Sequence, residues 1–73
     1  MRTMHDPDLL PRLLQGRLRF RRRDEAGTVW AATFEGHLVV AAMPEEGGEG
    51  VALHVDGEPC GELTGWPPLW RRD

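Results

Sequence analysis

The chain has no lysine, serine, tyrosine, asparagine or isoleucine. These gaps exclude a serine nucleophile, a Schiff-base lysine, a tyrosine acid and the lysine of a phosphate-binding loop. A basic set made wholly of arginine, beside abundant alanine, glycine and proline, matches a GC-rich coding sequence such as those of many bacteria and their phages. Cys60 stands alone, so no disulfide can form within the chain. The first residues lack the apolar core of a signal peptide, and the longest apolar run, residues 38–43, is far too short to span a bilayer. The expectation is a cytoplasmic, reduced protein with no membrane partner.

What is present is small and unevenly charged. Seventy-three residues make one domain, and a chain this short buries only about 60% of its unfolded surface. Self-association or a partner would help to stabilise it. The formal net charge is -3. Residues 1–23 carry +5, residues 24–65 carry nine acids and no base, and residues 66–73 carry +1. A charged partner could therefore favour either region.

The most informative segment is Arg17-Leu18-Arg19-Phe20-Arg21-Arg22-Arg23. Alternate side chains of a strand share a face. Arg17, Arg19, Arg21 and Arg23 thus form a cationic side, with Leu18 and Phe20 on a buried one. Around this strand the chain divides into a helical lead (6–16), a three-stranded meander (17–43), an acidic glycine-rich loop (44–50), a hairpin (51–64) and an extended Trp/Pro tail (65–73). Asp6-Pro7 offers a cap and a first helical position, Leu9, Leu10, Leu13 and Leu14 recur at helical spacing, and Gly16 can close the turn. Pro11 is awkward within that pattern, which points to a short helix starting near Asp8.

The meander can be placed in register. A two-residue Glu35-Gly36 turn sets Phe34 opposite His37, Ala32 opposite Val39 and Trp30 opposite Ala41. A four-residue connection at 24–27 would put Arg21 opposite Trp30 and Arg17 opposite Phe34. The core face would then hold Val29, Ala31, Thr33, Leu38, Val40 and Ala42 with Phe20 and Leu18. A slip of one residue would exchange the two faces. For the second hairpin, Asp56-Gly57 marks the turn, and a three-residue loop is preferred because it brings Leu63 to the Val51/Leu53/Val55 face. Pro59 makes the returning strand an edge. The predicted fold is α+β and mainly β: a short N-terminal helix packed on a five-stranded antiparallel sheet, either open or curled into an SH3-like open barrel.

Two surfaces stand out for binding. One is the sheet face of Arg17, Arg19, Arg21 and Arg23 with Trp30 and Phe34, since arginine stacks on aromatic rings and bonds carboxylate or phosphate in pairs. The plainer reading is a solvated face that deters strand aggregation. The other is Trp66 and Trp70 in the tail, either packed over an unfinished core or exposed as a docking or self-association patch. A homodimer and a tail folded back on its own sheet are both compatible with it. Protein binding ranks ahead of nucleic-acid binding, because the nine acids of residues 24–65, with no base among them, would repel a polyanion beyond the stripe. His5, His37, His54 and Cys60 show no metal-ligand or nucleophile spacing, and residues 47–50 form no phosphate-binding glycine motif. No cofactor, no metal and no catalysis are expected.

Overall fold

The computed structural model describes residues 8–44 and 49–73. The expected Asp6-Pro7 cap and most of the acidic loop lie outside the described residues. The elements are α1 (Leu9–Gln15), β1 (Arg19–Arg22), β2 (Val29–Phe34), β3 (His37–Ala42), β4 (Val51–Val55), β5 (Glu58–Leu63) and β6 (Arg71–Arg72). They form one short helix and a mixed sheet in the order β5-β4-β3-β2-β1-β6. The sheet is open, not a closed barrel, and has six strands where five were expected.

Asp8 precedes the first helical residue, so Pro11 occupies the third position of α1. Its missing N–H costs little there, because the first helical amides have no partner within the helix. Leu9 and Leu13 are buried. The helix stops at Gly16, whose φ of -81° any residue could adopt, and its N–H donates to the Leu13 carbonyl at 3.2 Å. Size is the reason for glycine here. A Cβ would lie 2.9 Å from Cε1 of Phe34.

The first hairpin has the expected register: Phe34 opposite His37, Ala32 opposite Val39, Trp30 opposite Ala41. Glu35 and Gly36 both take positive φ, 52° and 83°, as a type I′ turn requires. The connection from β1 differs from the expected one. Arg21 lies opposite Ala31 and Arg22 opposite Trp30, so the loop is one residue longer, 24–28. Asp24 is the cause. Its Oδ1 accepts the backbone N–H of Thr28 and Val29 at 3.0 Å each, and its Oδ2 accepts the Thr28 hydroxyl. These bonds draw Thr28 into the turn, and Arg23 then donates to the Val29 carbonyl at 2.7 Å.

That single residue exchanges the faces, as a one-step slip must. The core is built from Leu18, Phe20, Ala32, Val39, Ala41, Val51, Leu53 and Val55, capped by Leu9, Leu13 and Trp70. Val29, Thr33, Leu38, Val40 and Ala42, expected inside, lie on the outer face with Ala31. The second hairpin also departs from expectation. Asp56 and Gly57 have φ of 53° and 85° and pair Val55 with Glu58 directly, a two-residue turn. A bulge then shifts the register between Leu53 and His54, and Gly61, at φ 141°, faces Leu53. The bulge returns Leu63 to Val51, the pairing for which a longer loop was invoked. β5, with Pro59, is an edge strand as expected.

The tail is not an extended polyproline segment. The Trp70 N–H bonds the Pro67 carbonyl at 3.1 Å, closing a turn, and residues 71–72 then pair in parallel with β1. Trp70 is 3% exposed, and its indole N–H donates to the Leu13 carbonyl at 3.0 Å. Trp66 donates to the Trp70 carbonyl at 3.0 Å. Phe20 lies 5.0 Å from Trp66 and 4.9 Å from Trp70, centroid to centroid, within the range of favourable aromatic pairing.

Candidate docking face

The outer face can be written as three rows running across the strands. The first is Arg71, Arg19, Thr33, Leu38 and, at the turn, Asp56. The second is Arg21, Ala31, Val40, His54 and Pro59. The third is Arg23, Val29, Ala42, Ala52 and Glu62. Cations line the β1/β6 side, small and branched apolar residues fill the centre, and acids stand at the β4/β5 side.

The alternation that pointed to an arginine stripe therefore holds. Arg19, Arg21 and Arg23 border a shallow concavity of about 270 Å³ that Ala31, Thr33 and Leu38 also line. Arg17 lies beside it, sharing one depression with Pro68, Leu69 and Arg71 and another with Leu18, Arg19 and Arg71. Arg71 was missed in the sequence; only the parallel pairing of the tail with β1 reveals it. Asp73 approaches Arg19 Nε at 3.9 Å, while the Arg19 side chain is 75% exposed. Among the described residues no hydrogen bond or ion pair joins Arg17, Arg21 or Arg23 to an acid. Leu38, at the centre, is 45% exposed.

Trp30 and Phe34 do not belong to this face. They point to the core side, because Asp24 moved the register by one. Trp30 donates its indole N–H to the Gly27 carbonyl at 2.8 Å, and Phe34 packs toward Gly16. The cation held over aromatic rings is Arg72 instead, 4.7 Å from Trp66 and 5.8 Å from Trp30. Trp70 belongs to the core and Trp66 packs against it, so the tail tryptophans serve as structure.

The remaining polar side chains brace turns. Arg12 bonds Glu35 with two nitrogens, at 3.1 and 2.8 Å. Asp56 accepts the Leu38 N–H at 2.9 Å and lies 2.7 Å from His37 Nδ1. The Thr28 hydroxyl, followed by the backbone amides, holds the Asp24 carboxyl below its ordinary pKa. Burial pushes the Cys60 thiol up, the opposite of what activates a thiolate. Among the described residues no three His, Cys, Asp or Glu side chains cluster, and no helix is long and apolar enough to cross a membrane. No protein-family model, no curated protein and no solved structure matches this chain.

Proposed function

We propose that the chain is a non-catalytic protein-binding module, a small regulator, inhibitor or accessory subunit, which docks through the outer face of its sheet. One observation carries this reading: among the described residues Arg17, Arg21 and Arg23 have no acidic partner, and Arg19, Arg21 and Arg23 border an apolar strip that no described element covers. β3 is apolar on both faces, which is the pattern of a strand covered on both sides, yet the helix and the tail cover one side only. Arginine is the cation best suited to such a place, because it is weakly hydrated and binds carboxylates in pairs. An apolar centre with a charged rim is the usual anatomy of a protein interface. The unpaired Cys60 fits a reducing, cytoplasmic setting.

Nucleic acid is the second reading, favoured by the fifth arginine, Arg71, on the same face. It loses support from the placement of the rings, since stacking platforms need aromatics beside the cations and here they face the core. The test is affinity capture from native lysate by wild type and by the Arg19→Glu plus Arg21→Glu variant, with and without nuclease. A stoichiometric protein retained by wild type, resistant to nuclease and lost with the variant, is the expected result. Equal retention by both sinks the docking face, and recovery that vanishes with nuclease transfers the arginines to phosphate binding.

A further inference from the structure

We propose that the protein seated on this face is a second copy of the same chain, packed sheet to sheet about a two-fold axis parallel to the strands. The inference rests on the docking reading above and names its partner. The strand order β5-β4-β3-β2-β1-β6 has its midpoint between β3 and β2. A two-fold axis along the strands at that midpoint keeps each row level and reverses it. β1 of one copy then lies over β4 of the other, β2 over β3, and β6 over β5.

The rows fit that operation. In the first, Arg19 comes over Asp56 of the second copy and Thr33 over its Leu38. In the third, Arg23 comes over Ala52 and beside Glu62 of the second copy, with Val29 over its Ala42. The middle row sets Ala31 over Val40 and Arg21 over His54 and Pro59. Cations thus meet the acidic side of the other copy, twice over, because a two-fold interface repeats every contact. Apolar centre meets apolar centre, as in a sandwich of aligned sheets about 10 Å apart. A two-fold axis across the strands would instead lay arginine stripe over arginine stripe, and like charges set face to face oppose association. The small residues Ala31, Ala42 and Ala52 let the two backbones approach closely.

Glu62 and Arg23 give the decisive experiment, since both side chains are exposed and in the fold Glu62 serves only in strand pairing with Ala52 and Arg23 only through its backbone N–H to Val29. Sedimentation equilibrium of the full chain over a range of concentrations should show a monomer–dimer equilibrium. Arg23→Glu and Glu62→Arg should each weaken it by about tenfold or more, a change of 1.4 kcal/mol per factor of ten. An equimolar mixture of the two variants should regain wild-type association, because the mixed dimer has opposite charges at both copies of the contact. Circular dichroism of each variant alone should match wild type.

A dimer untouched by either substitution, or a mixture no better than its parts, overturns this two-fold. A chain that stays monomeric at all concentrations overturns the second copy as partner. Monomeric chain that still captures a different protein in an Arg19- and Arg21-dependent way leaves the docking face itself standing. Monomeric chain whose capture ignores those arginines removes both.

Discussion

The inner face of the sheet presents Phe20, Ala32, Val39, Ala41 and Leu53 beneath a helix and a tryptophan clasp; the outer face presents Arg21, Ala31, Val40 and His54 with neither over them. Both are read from the same strands by alternation, and both contain apolar residues. They differ in side-chain charge at β1 and the residue before it. Phe20 and Leu18 are large and neutral and seal a core, whereas Arg19 and Arg21 hold charge that must stay near water or near an acid. Burying Phe20 between two tryptophans also recruits the tail, so one face is finished within the chain. The other has apolar residues in its centre, and no described element covers them. A completed face governs stability, and an unfinished one governs association.

The largest expected effect breaks the finished face. Phe20→Ala removes the ring against which Trp66 and Trp70 pack and should cost about 3–5 kcal/mol. For a domain expected to have modest stability this is enough to unfold it at room temperature, and urea denaturation followed by tryptophan fluorescence reads it directly. A loss below about 1 kcal/mol would mean that the tail does not close over β1. Such a result would return Trp66 and Trp70 to the surface as docking candidates.

The next effect is smaller and falls on the β4–β5 edge. Gly61 sits at φ 141° in the bulge that sets Leu63 against Val51, a conformation that side chains rarely adopt. Gly61→Ala should therefore destabilise by at least about 1 kcal/mol, more than an exposed substitution ordinarily does. The cross-strand contact of Leu63 with Val51, followed by NMR, should weaken with it. If stability is unchanged, the bulge does not set the register, and Glu62 loses its assigned place on the outer face.

How much of this was legible follows from which interactions are local. The Glu35-Gly36 turn could be read because a two-residue turn and its pairings are fixed by adjacent residues. The arginine alternation could be read for the same reason. The loop after it could not: four and five residues are both ordinary connections, and the choice turns on where one carboxylate finds its donors. From that choice follow the identity of the core face and the separation of Trp30 and Phe34 from the arginines. The bulge at Gly61 was hidden because a longer turn produces the same pairing of Leu63. β6 and Arg71 were hidden because a parallel pairing between residues some fifty positions apart leaves no mark in local sequence.

Asp24 decides which face is which, so the last prediction concerns it, with the smallest expected change at neutral pH. Asp24→Asn keeps an amide oxygen to accept the N–H groups of Thr28 and Val29, and the Thr28 hydroxyl can turn to accept from the amide nitrogen. Register and outer face should survive. What should change is the response to acid. The folded-state pKa of Asp24 is lowered from its ordinary 3.8, so its charged form stabilises the fold above that value and the contribution is lost as pH falls through the lowered one. Wild type should therefore lose melting temperature more steeply than Asp24→Asn between about pH 4 and pH 2, with the other carboxylates common to both. Parallel curves would show that the Asp24 charge does not hold the loop. If Asp24→Ala also kept Arg21 opposite Ala31, the strand faces would be set by Phe20 seeking the core, and the turn would merely follow.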